Sequence, residues 1–390
     1  MIVVDVVLIV LLVASALVGF RRGLLASVGL FAGIALGAVA AYWVMPLVSS
    51  WIPEAIWRAP AVVGVGILLL FVGAAVGSGI GRAMRRGVDR IKLRVPERLL
   101  GGLVSFAAAA LAVSFLGGAL VSTGTPIISS ALASSTVLRT IDGVTPPPVR
   151  ATLAELRGSV FGDGLPTLGQ LLEPAFVPTA PAVALDDPAL TAAAQSVAKI
   201  TGVAYACGIT ASGTGFAVAP DRVVTNAHVV AGVAQPVVEL PGRPAREGRI
   251  VYFDPIDDLA VIAVDDLDAA PLTVVPTLAV GAAAVVQGYP HGGPFTSGTA
   301  QVVSVGSPNV PDIYDSSSAA RDIYALAAVV RPGNSGGPLL TPSGEVAGVV
   351  FARSDSDDDV GYAMTPVELA PVIARLGELD SAVASGDCTA

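Results

Sequence analysis

The chain has 390 residues, of which 53% are hydrophobic and 14% are charged, and its formal net charge is -9. Because this composition is too apolar for one soluble globule, part of the chain is expected to lie in a lipid bilayer. After residue 150 the chain carries 26 Asp and Glu against 10 Lys and Arg, which excludes nucleic acid as a partner because phosphate binding needs clustered cations.

Four apolar stretches near the start of the chain are long enough to cross about 30 Å of hydrocarbon as helices. They cover residues 2–19, 24–45, 61–81 and 99–121. The first stretch is expected to remain as an anchor, because no small-residue cleavage site follows its apolar run. The sequence therefore predicts a four-helix transmembrane bundle over residues 1–121.

Basic residues in the connecting loops predict which way the bundle faces. Arg21 and Arg22 follow the first span and seven Lys and Arg lie between the third and fourth, whereas the loop between the second and third has only Arg58. Loops rich in Lys and Arg stay on the cytoplasmic side. We therefore expect a multi-pass protein of the cytoplasmic (inner) membrane, with the N-terminus and everything after residue 121 in the periplasm or outside.

Two spans carry glycine at every fourth position, a spacing that lets helix backbones approach closely. These glycines, which predict helix contacts, are Gly29, Gly33 and Gly37 in the second span and Gly73, Gly77 and Gly81 in the third. The whole segment resembles the colicin V production (CvpA) family of small four-span membrane proteins. The resemblance is clearest near the start, in the segment VVDVVLIVLLVASALVGFRRGLL.

Residues 122–195 are rich in Ser, Thr, Pro and Ala, with proline runs at 146–148 and 173–188. This composition predicts a linker. Apolar residues recur at helical spacing from Val149 to Arg157, which indicates a short helix. From sequence alone, that helix could pack on either neighbouring domain.

From residue 196 to 390 the pattern changes to short runs rich in Val and Ile, divided by Gly, Pro and Asp turns. Many short strands at this spacing predict an all-β sandwich or a pair of β-barrels. Helical periodicity returns only from Val367 to Leu379, which predicts a C-terminal helix.

The strongest chemical signal is the segment PGNSGGPL at residues 332–339, directly after a strand-like run. A nucleophilic serine needs a sharp turn that exposes its Oγ and aims backbone N–H groups at the developing oxyanion, and glycines permit that turn. We predict Ser335 as the nucleophile, with the amides of Gly333 and Ser335 as the oxyanion hole. Standing alone, the segment would indicate only a glycine-rich hairpin turn.

His228, in the segment TNAHVV, is one of only two histidines in the chain. Imidazole titrates near neutrality, so His228 is predicted to be the general base that takes the serine proton. Asp254, Asp257 and Asp258 compete as the acid that orients the imidazole. Asp258 is favoured because it directly precedes the strand-like run LAVI, whereas the other two are interpreted as turn residues.

The chain has two cysteines, Cys207 and Cys388, and no Cys or His spacing typical of a metal site accompanies them. We therefore expect neither a metal ion nor a cofactor. Outside the cytoplasm the pair could close a loop of roughly 180 residues, removing on the order of 5 kcal/mol of unfolded-state entropy. Two separate buried thiols are the alternative.

The order His228, Asp258, Ser335 within the motifs TNAHVV, DLAV and GNSGGPL resembles trypsin-like serine proteases in their bacterial HtrA-like branch. This resemblance implies a chymotrypsin/trypsin-like double β-barrel with the triad in the cleft, a disulfide and a place outside the cytoplasm. Joined to a CvpA-like anchor, it resembles the actinobacterial acid-resistance membrane proteases, which implies a role in surviving acid or oxidative stress. Because the sequence ends at Ala390, no PDZ domain is expected.

In this fold the residue six before the nucleophile lines the base of the S1 pocket. That residue is Val329, and Val349, Val350 and Phe351 are the expected walls. No carboxylate is among them, so we expect an apolar P1 side chain of small to medium size. Three further polar residues are predicted to be structural: Ser212 and Thr214 as turn residues, and His291 as a loop residue.

These features predict a membrane-anchored serine endopeptidase that works outside the cytoplasm on protein or peptide substrates. The substrates are expected among cell-envelope proteins, either in acid or oxidative stress resistance or in envelope protein processing. The alternative is a membrane scaffold or sensor whose β domain binds peptides without cleaving them. The complete set of triad residues argues against that alternative.

Overall fold

The structure is a computed structural model, and it describes residues 2–51, 55–88, 94–122, 131–132, 135–161, 165–169, 179–204 and 209–389. The chain divides into two compact units, Ile2–Ser114 and Phe115–Ala390. The first unit is helical, and the second contains the β-strands together with shorter helices. The predicted domain boundaries at residues 121 and 195 stay predictions.

Long apolar helices make up the first unit. They are α1 (Ile2–Arg22), α2 (Leu24–Trp51), α3 (Ala55–Val88) and α4 (Arg94–Ser122), whose last residues belong to the second unit. Each contains a stretch of 19 to 24 residues that is apolar enough to cross a membrane. Large apolar side chains point outward, such as Leu36 and Phe71, each 70% exposed. All four predicted spans are confirmed as helices of sufficient length.

Glycines bring α2 and α3 into backbone contact. A Cβ atom added to Gly33 would overlap the carbonyl oxygen of Gly73, and one added to Gly77 would overlap the carbonyl oxygen of Gly29. Any larger side chain at these positions would push the two helices apart. The predicted glycine-mediated helix contact is therefore confirmed.

The first β-sheet of the second unit has seven strands. Their order is β6 (Arg246–Glu247), β5 (Val237–Glu239), β2 (Val197–Ala204), β3 (Ile209–Ala219), β4 (Arg222–Thr225), β8 (Leu259–Ala263) and β7 (Arg249–Asp254). The edge strands β6 and β7 are joined through Gly248 alone, so the sheet curls and brings its two edges together. Buried Ile200, Val223 and Ile262 lie in its core.

The second sheet also has seven strands, and pairing between β15 and β16 closes it. Their order is β1 (Thr167–Leu168), β15 (Val346–Ser354), β14 (Pro338–Leu340), β9 (Ala283–Gly288), β10 (Thr296–Gly306), β13 (Ile323–Ala327) and β16 (Val360–Met364). A separate hairpin consists of β11 (Asn309–Pro311) and β12 (Ser318–Ala320). One buried cluster contains Phe216 from the first sheet and Val349 from the second, so both sheets share a core.

The predicted linker contains ordered elements. These are α5 (Thr136–Val144), α6 (Pro147–Phe161), β1 and α7 (Pro188–Ala194). Helix α6 confirms the predicted short helix. It packs against loops of the second sheet. A Cβ added to Gly293 would overlap Cβ of Ala154, and Arg331 Nη1 lies 2.8 Å from Glu155 Oε1.

The double β-barrel and the C-terminal helix are confirmed, as one closed barrel plus a half-barrel followed by helices. Helix α8 (Ala227–Val230) follows β4 of the first sheet, and α9 (Pro366–Ala374) follows β16 of the second. Thr365 caps α9 by accepting a hydrogen bond from Val367 N at 3.3 Å, and Pro366 occupies the first turn, where its missing N–H costs nothing.

Candidate active site

Ser335 lies in the turn that leads into β14 and is 2% exposed. Two hydrogen bonds tighten the turn, from Asn334 N to Arg331 O and from Gly337 N to Asn334 O, both 2.9 Å. Gly336 has a φ of +79°, a region that L side chains rarely adopt. A Cβ there would also overlap the carbonyl oxygen of Thr214, so only glycine fits beside Ser335.

Thr214 connects the first sheet to this turn. Its N–H donates to Ser335 O at 2.8 Å, and its Oγ1 donates to Gly333 O at 2.6 Å while accepting from Tyr289 N at 3.0 Å. Its own carbonyl accepts from Thr225 Oγ1 at 2.7 Å. All these groups are buried, so Thr214 holds the turn of Ser335 against β4.

The interpretation of Thr214 and Ser212 as turn residues was wrong. Both lie inside β3, and Thr214 is completely buried. A signal was present in the sequence, because Thr214 and Phe216 alternate at strand spacing and therefore share a face. Only the fold shows that this face contacts the turn of Ser335.

His228 and Asp258 form a buried pair. His228 Nδ1 lies 2.8 Å from Asp258 Oδ2, and the backbone N–H of His228 donates to Oδ1 at 2.9 Å. Asn226 Nδ2 donates to the carbonyl oxygen of Asp258 at 2.8 Å, which ties the start of α8 to the residue before β8. The carboxylate therefore fixes the orientation of the imidazole through Nδ1 and leaves Nε2 pointing away from it.

Asp258 itself has a φ of +54°, an uncommon conformation for a residue with a side chain. The preceding turn is held by Asp254 Oδ1, which accepts from Ile256 N at 2.9 Å and from Asp257 N at 3.1 Å. Asp257 is therefore a turn residue, as predicted, whereas Asp254 is the last residue of β7 and holds the turn through its side chain. Burial and the neighbouring Asp254 charge raise the pKa of Asp257.

Two further polar atoms of the site are His228 Nε2 and Ser335 Oγ. Both are buried, and neither has a hydrogen-bond partner among the described residues. The turn of Ser335 is nevertheless adjacent to α8, because a Cβ on Gly336 would lie 2.9 Å from Asn226 N. Hydrogen bonds between nucleophile and base are often long in ligand-free sites and tighten with substrate.

The amide N–H groups of Gly333 and Ser335 have no acceptor in the part of the chain that the structure describes. Between them, the N–H of Asn334 is already bonded to Arg331 O. Gly333 has a φ of +90°, and a Cβ there would overlap the carbonyl oxygen of Tyr289. Two unpaired N–H donors, separated by one residue, could both donate to a single oxyanion.

The residues predicted for the S1 pocket are not all in one cavity. Val329 is 53% exposed and lines a cavity of about 310 Å³ with His291, Asn334 and helix α6. Phe351 lines another cavity, of about 320 Å³, with His228 and Asp258. Val349 and Val350 are fully buried in the core. The composition of the S1 pocket stays a prediction.

Cys388 is part of a disulfide and packs on the core of the first sheet. Cys207 lies outside the described residues, so the pairing of the two stays a prediction. Across the described residues, no group of His, Cys, Asp and Glu is arranged to hold a metal ion.

Two family models match the chain. The trypsin-like peptidase domain matches residues 213–349, and the colicin V production protein matches residues 4–146. The chain is also 34% identical to "Serine protease Rv3671c" of Mycobacterium tuberculosis over 394 residues, which is 98% of each chain. The chain belongs to the Rv3671c family of serine proteases.

Solved and curated relatives agree with this assignment. The crystal structure of the Rv3671c protease in its active form covers 56% of this chain and 99% of its own, with 37% identity and a TM-score of 0.52. A probable periplasmic DegP-like serine endoprotease of Pseudomonas savastanoi pv. phaseolicola is 31% identical over 184 residues, 45% of this chain and 36% of that protein. As a member of the Rv3671c family, this chain is a trypsin-like serine protease that resembles HtrA-type enzymes.

Proposed function

We propose that the chain is a membrane-anchored endopeptidase in which His228, Asp258 and Ser335 form the catalytic triad. The observation that carries the proposal is the His228–Asp258 pair. Because the carboxylate lies 2.8 Å from Nδ1, the proton of the neutral ring stays on Nδ1 and Nε2 is left as the base. The adjacent turn presents Ser335 Oγ, which has no competing partner among the described residues.

The geometry supports a two-step acyl transfer. Ser335 Oγ attacks the peptide carbonyl carbon while His228 Nε2 takes its proton, and the N–H groups of Gly333 and Ser335 stabilise the oxyanion. Asp258 stabilises the imidazolium. The C–N bond then breaks as His228 returns the proton to the leaving amine, and water hydrolyses the acyl-enzyme by the same route in reverse.

The substrate preference is an apolar residue at P1. Val329 is the exposed residue at the predicted base of the pocket, and Phe351 lies beside His228 in the neighbouring cavity. Neither residue supplies a negative charge for Lys or Arg, and Glu155, which lines the cavity of Val329, is already paired with Arg331. Cleavage of a peptide library would therefore be dominated by small or medium apolar P1 residues, and dominant cleavage after Arg would contradict this preference.

The site works outside the cytoplasm on cell-envelope proteins, in resistance to acid or oxidative stress. The basic loops after α1 and between α3 and α4 support this orientation, and the DegP-like relative is named as periplasmic. A disulfide between Cys207 and Cys388 would persist there. Thiol titration of unfolded, unreduced protein should find no free thiol, and two free thiols would exclude the bridge.

A fluorophosphonate probe tests the activity directly in the full-length chain. The wild-type chain should react at Ser335, and Ser335→Ala should lose labelling. Ser318→Ala, at an exposed position in β12, is the matched control and should label like the wild type. Labelling that persists unchanged in Ser335→Ala would overturn the proposed nucleophile. Proteomic comparison of the wild type with Ser335→Ala under acid stress then tests the physiological role.

A further inference from the structure

Arg321 is a buried cation beside the His228–Asp258 pair. It follows β12, is only 2% exposed, and lines the cavity of about 320 Å³ that also contains His228 and Asp258. No carboxylate of the described residues forms an ion pair with its guanidinium. A buried charge without a direct counter-ion is costly, so its retention calls for a specific role.

Its contacts tie together three segments of the site. Nη2 donates to the carbonyl oxygen of Ile256, two residues before Asp258, and to Pro311 O at 3.4 Å. The guanidinium carbon lies 5.4 Å from the ring centroid of Phe351, within the range of a cation–π contact. The guanidinium of Arg321 therefore contacts the turn before Asp258, the β11–β12 hairpin and β15.

The turn that supplies Asp258 needs such support. Asp258 has a φ of +54°, and a left-handed residue with a side chain persists only where its surroundings hold it. A second bond, from Ile313 N to Pro255 O at 3.1 Å, fastens the same turn to the hairpin. Loss of the Arg321 contacts would leave the turn with this bond, that of Asn226 and the two bonds to Asp254 Oδ1.

Acidic side chains surround Arg321. The acids that act on it are Asp254, Asp257 and Asp258 from the turn and Glu368 from α9, and the cavity it lines also contains His228, Asp312 and Asp315. Burial lowers the pKa of Arg321, and these four acids counteract that effect. The attraction between the Arg321 guanidinium and these carboxylates acts on the same turn as its hydrogen bonds.

We propose that Arg321 is a positioning residue that holds the turn of Asp258 beside His228. This inference rests on the proposed triad. Arg321 does not touch the reacting atoms. It acts through Asp258, so its removal should change kcat more than KM.

Two variants of the full-length chain test this positioning role. Arg321→Met removes the charge and keeps an unbranched apolar chain, so kcat should fall about tenfold. The value of KM should change little. Arg321→Lys keeps the charge but loses the planar contacts, so kcat should again fall while KM changes little. Arg375→Gln, which removes an exposed charge, should change neither.

An unchanged kcat in Arg321→Lys would overturn the positioning role, and so would a rise in KM at constant kcat in either variant. If the Met variant fails to fold, the Lys variant alone decides the positional claim. Ser335→Ala distinguishes failure of the proposed triad from failure of the proposed role of Arg321. If it abolishes cleavage while both Arg321 variants behave like the wild type, only the role of Arg321 fails.

Discussion

The two halves of the proposed active site are held in place by different means. The turn of Ser335 depends on backbone hydrogen bonds and on glycines, with Gly333 at φ +90° and Gly336 at φ +79°. The His228–Asp258 half depends on side chains, through the carboxylate at 2.8 Å from Nδ1 and the amide of Asn226. The nucleophile half should therefore be sensitive to added volume, and the acid–base half to lost polar groups and charge.

The largest effect is expected from Gly336→Ala. The added Cβ would overlap the carbonyl oxygen of Thr214 and Oγ1 of Thr225, at a φ that favours glycine. The turn must then shift, so kcat/KM should fall a hundredfold or more, roughly the loss seen when oxyanion donors are removed. Gly377→Ala meets nothing within 4 Å and is the control. Wild-type rates of peptide cleavage in Gly336→Ala would show that the turn is not sterically fixed.

A smaller effect is expected from Thr214→Val, which changes a hydroxyl to a methyl group and keeps the shape. The Gly333 carbonyl then loses its donor at 2.6 Å and Tyr289 N loses its acceptor at 3.0 Å. Buried groups left unpaired cost about 1–3 kcal/mol of unfolding free energy. Denaturant unfolding and kcat should both reveal the loss. Thr299→Val, a half-buried position in β10, should be nearly neutral, and equal losses in both variants would contradict a special role for Thr214.

In the acid–base half, Asn226→Ala removes the side-chain donor to the Asp258 carbonyl. The carboxylate remains within reach of His228, so kcat should fall about tenfold with little change in KM. Steady-state kinetics with an apolar P1 peptide measures this split. Asn309→Ala, at an exposed position in β11, serves as the control. A rise in KM at constant kcat would place Asn226 in substrate binding instead.

The smallest effect concerns stability and pH. Burial raises the pKa of Glu239 above its ordinary value of 4.5, although Lys199 and Arg139 oppose the shift. The folded chain then binds this proton more tightly than the unfolded chain. Its contribution to stability is present below pH 4.5 and is lost as pH rises through the higher folded value.

Glu239→Gln should therefore raise the unfolding free energy at neutral pH by about 1 kcal/mol and flatten its pH dependence. Thermal or denaturant unfolding across the acid range measures both effects. Exposed Glu247→Gln, on the neighbouring strand β6, is the matched control. A decrease in stability at neutral pH for Glu239→Gln would contradict the sign of the shift.

The sequence was most informative where function requires fixed local motifs. The segments around His228, Asp258 and Ser335 predicted a double barrel, and four apolar stretches predicted the helices. Other strands have weak signals, because Lys199, Thr201 and Gly202 interrupt the apolar pattern of β2 and β14 begins inside the glycine-rich motif. Local pattern cannot reveal such strands, since their sheet partners are distant in the chain.

Residues that act through long-range contacts were beyond the sequence. Thr214 meets Gly333 across 119 positions, and Arg321 meets Ile256 across 65. Helix α6 was predicted, but its packing beside Gly293 was not. The S1 prediction illustrates the same limit, because neighbouring residues of β15 point to opposite sides of the sheet.

The proposed triad requires that His228 and Ser335 meet in one cleft. A peptidyl chloromethyl ketone with an apolar P1 residue tests this convergence in a single reaction. Attack of Ser335 Oγ on the ketone carbon brings the methylene carbon to His228 Nε2, which displaces chloride. Peptide mapping by mass spectrometry should find alkylated His228 in the wild type, none in Ser335→Ala, and none at His291. Equal alkylation of His228 in both chains, or an unmodified wild type, would contradict the convergence.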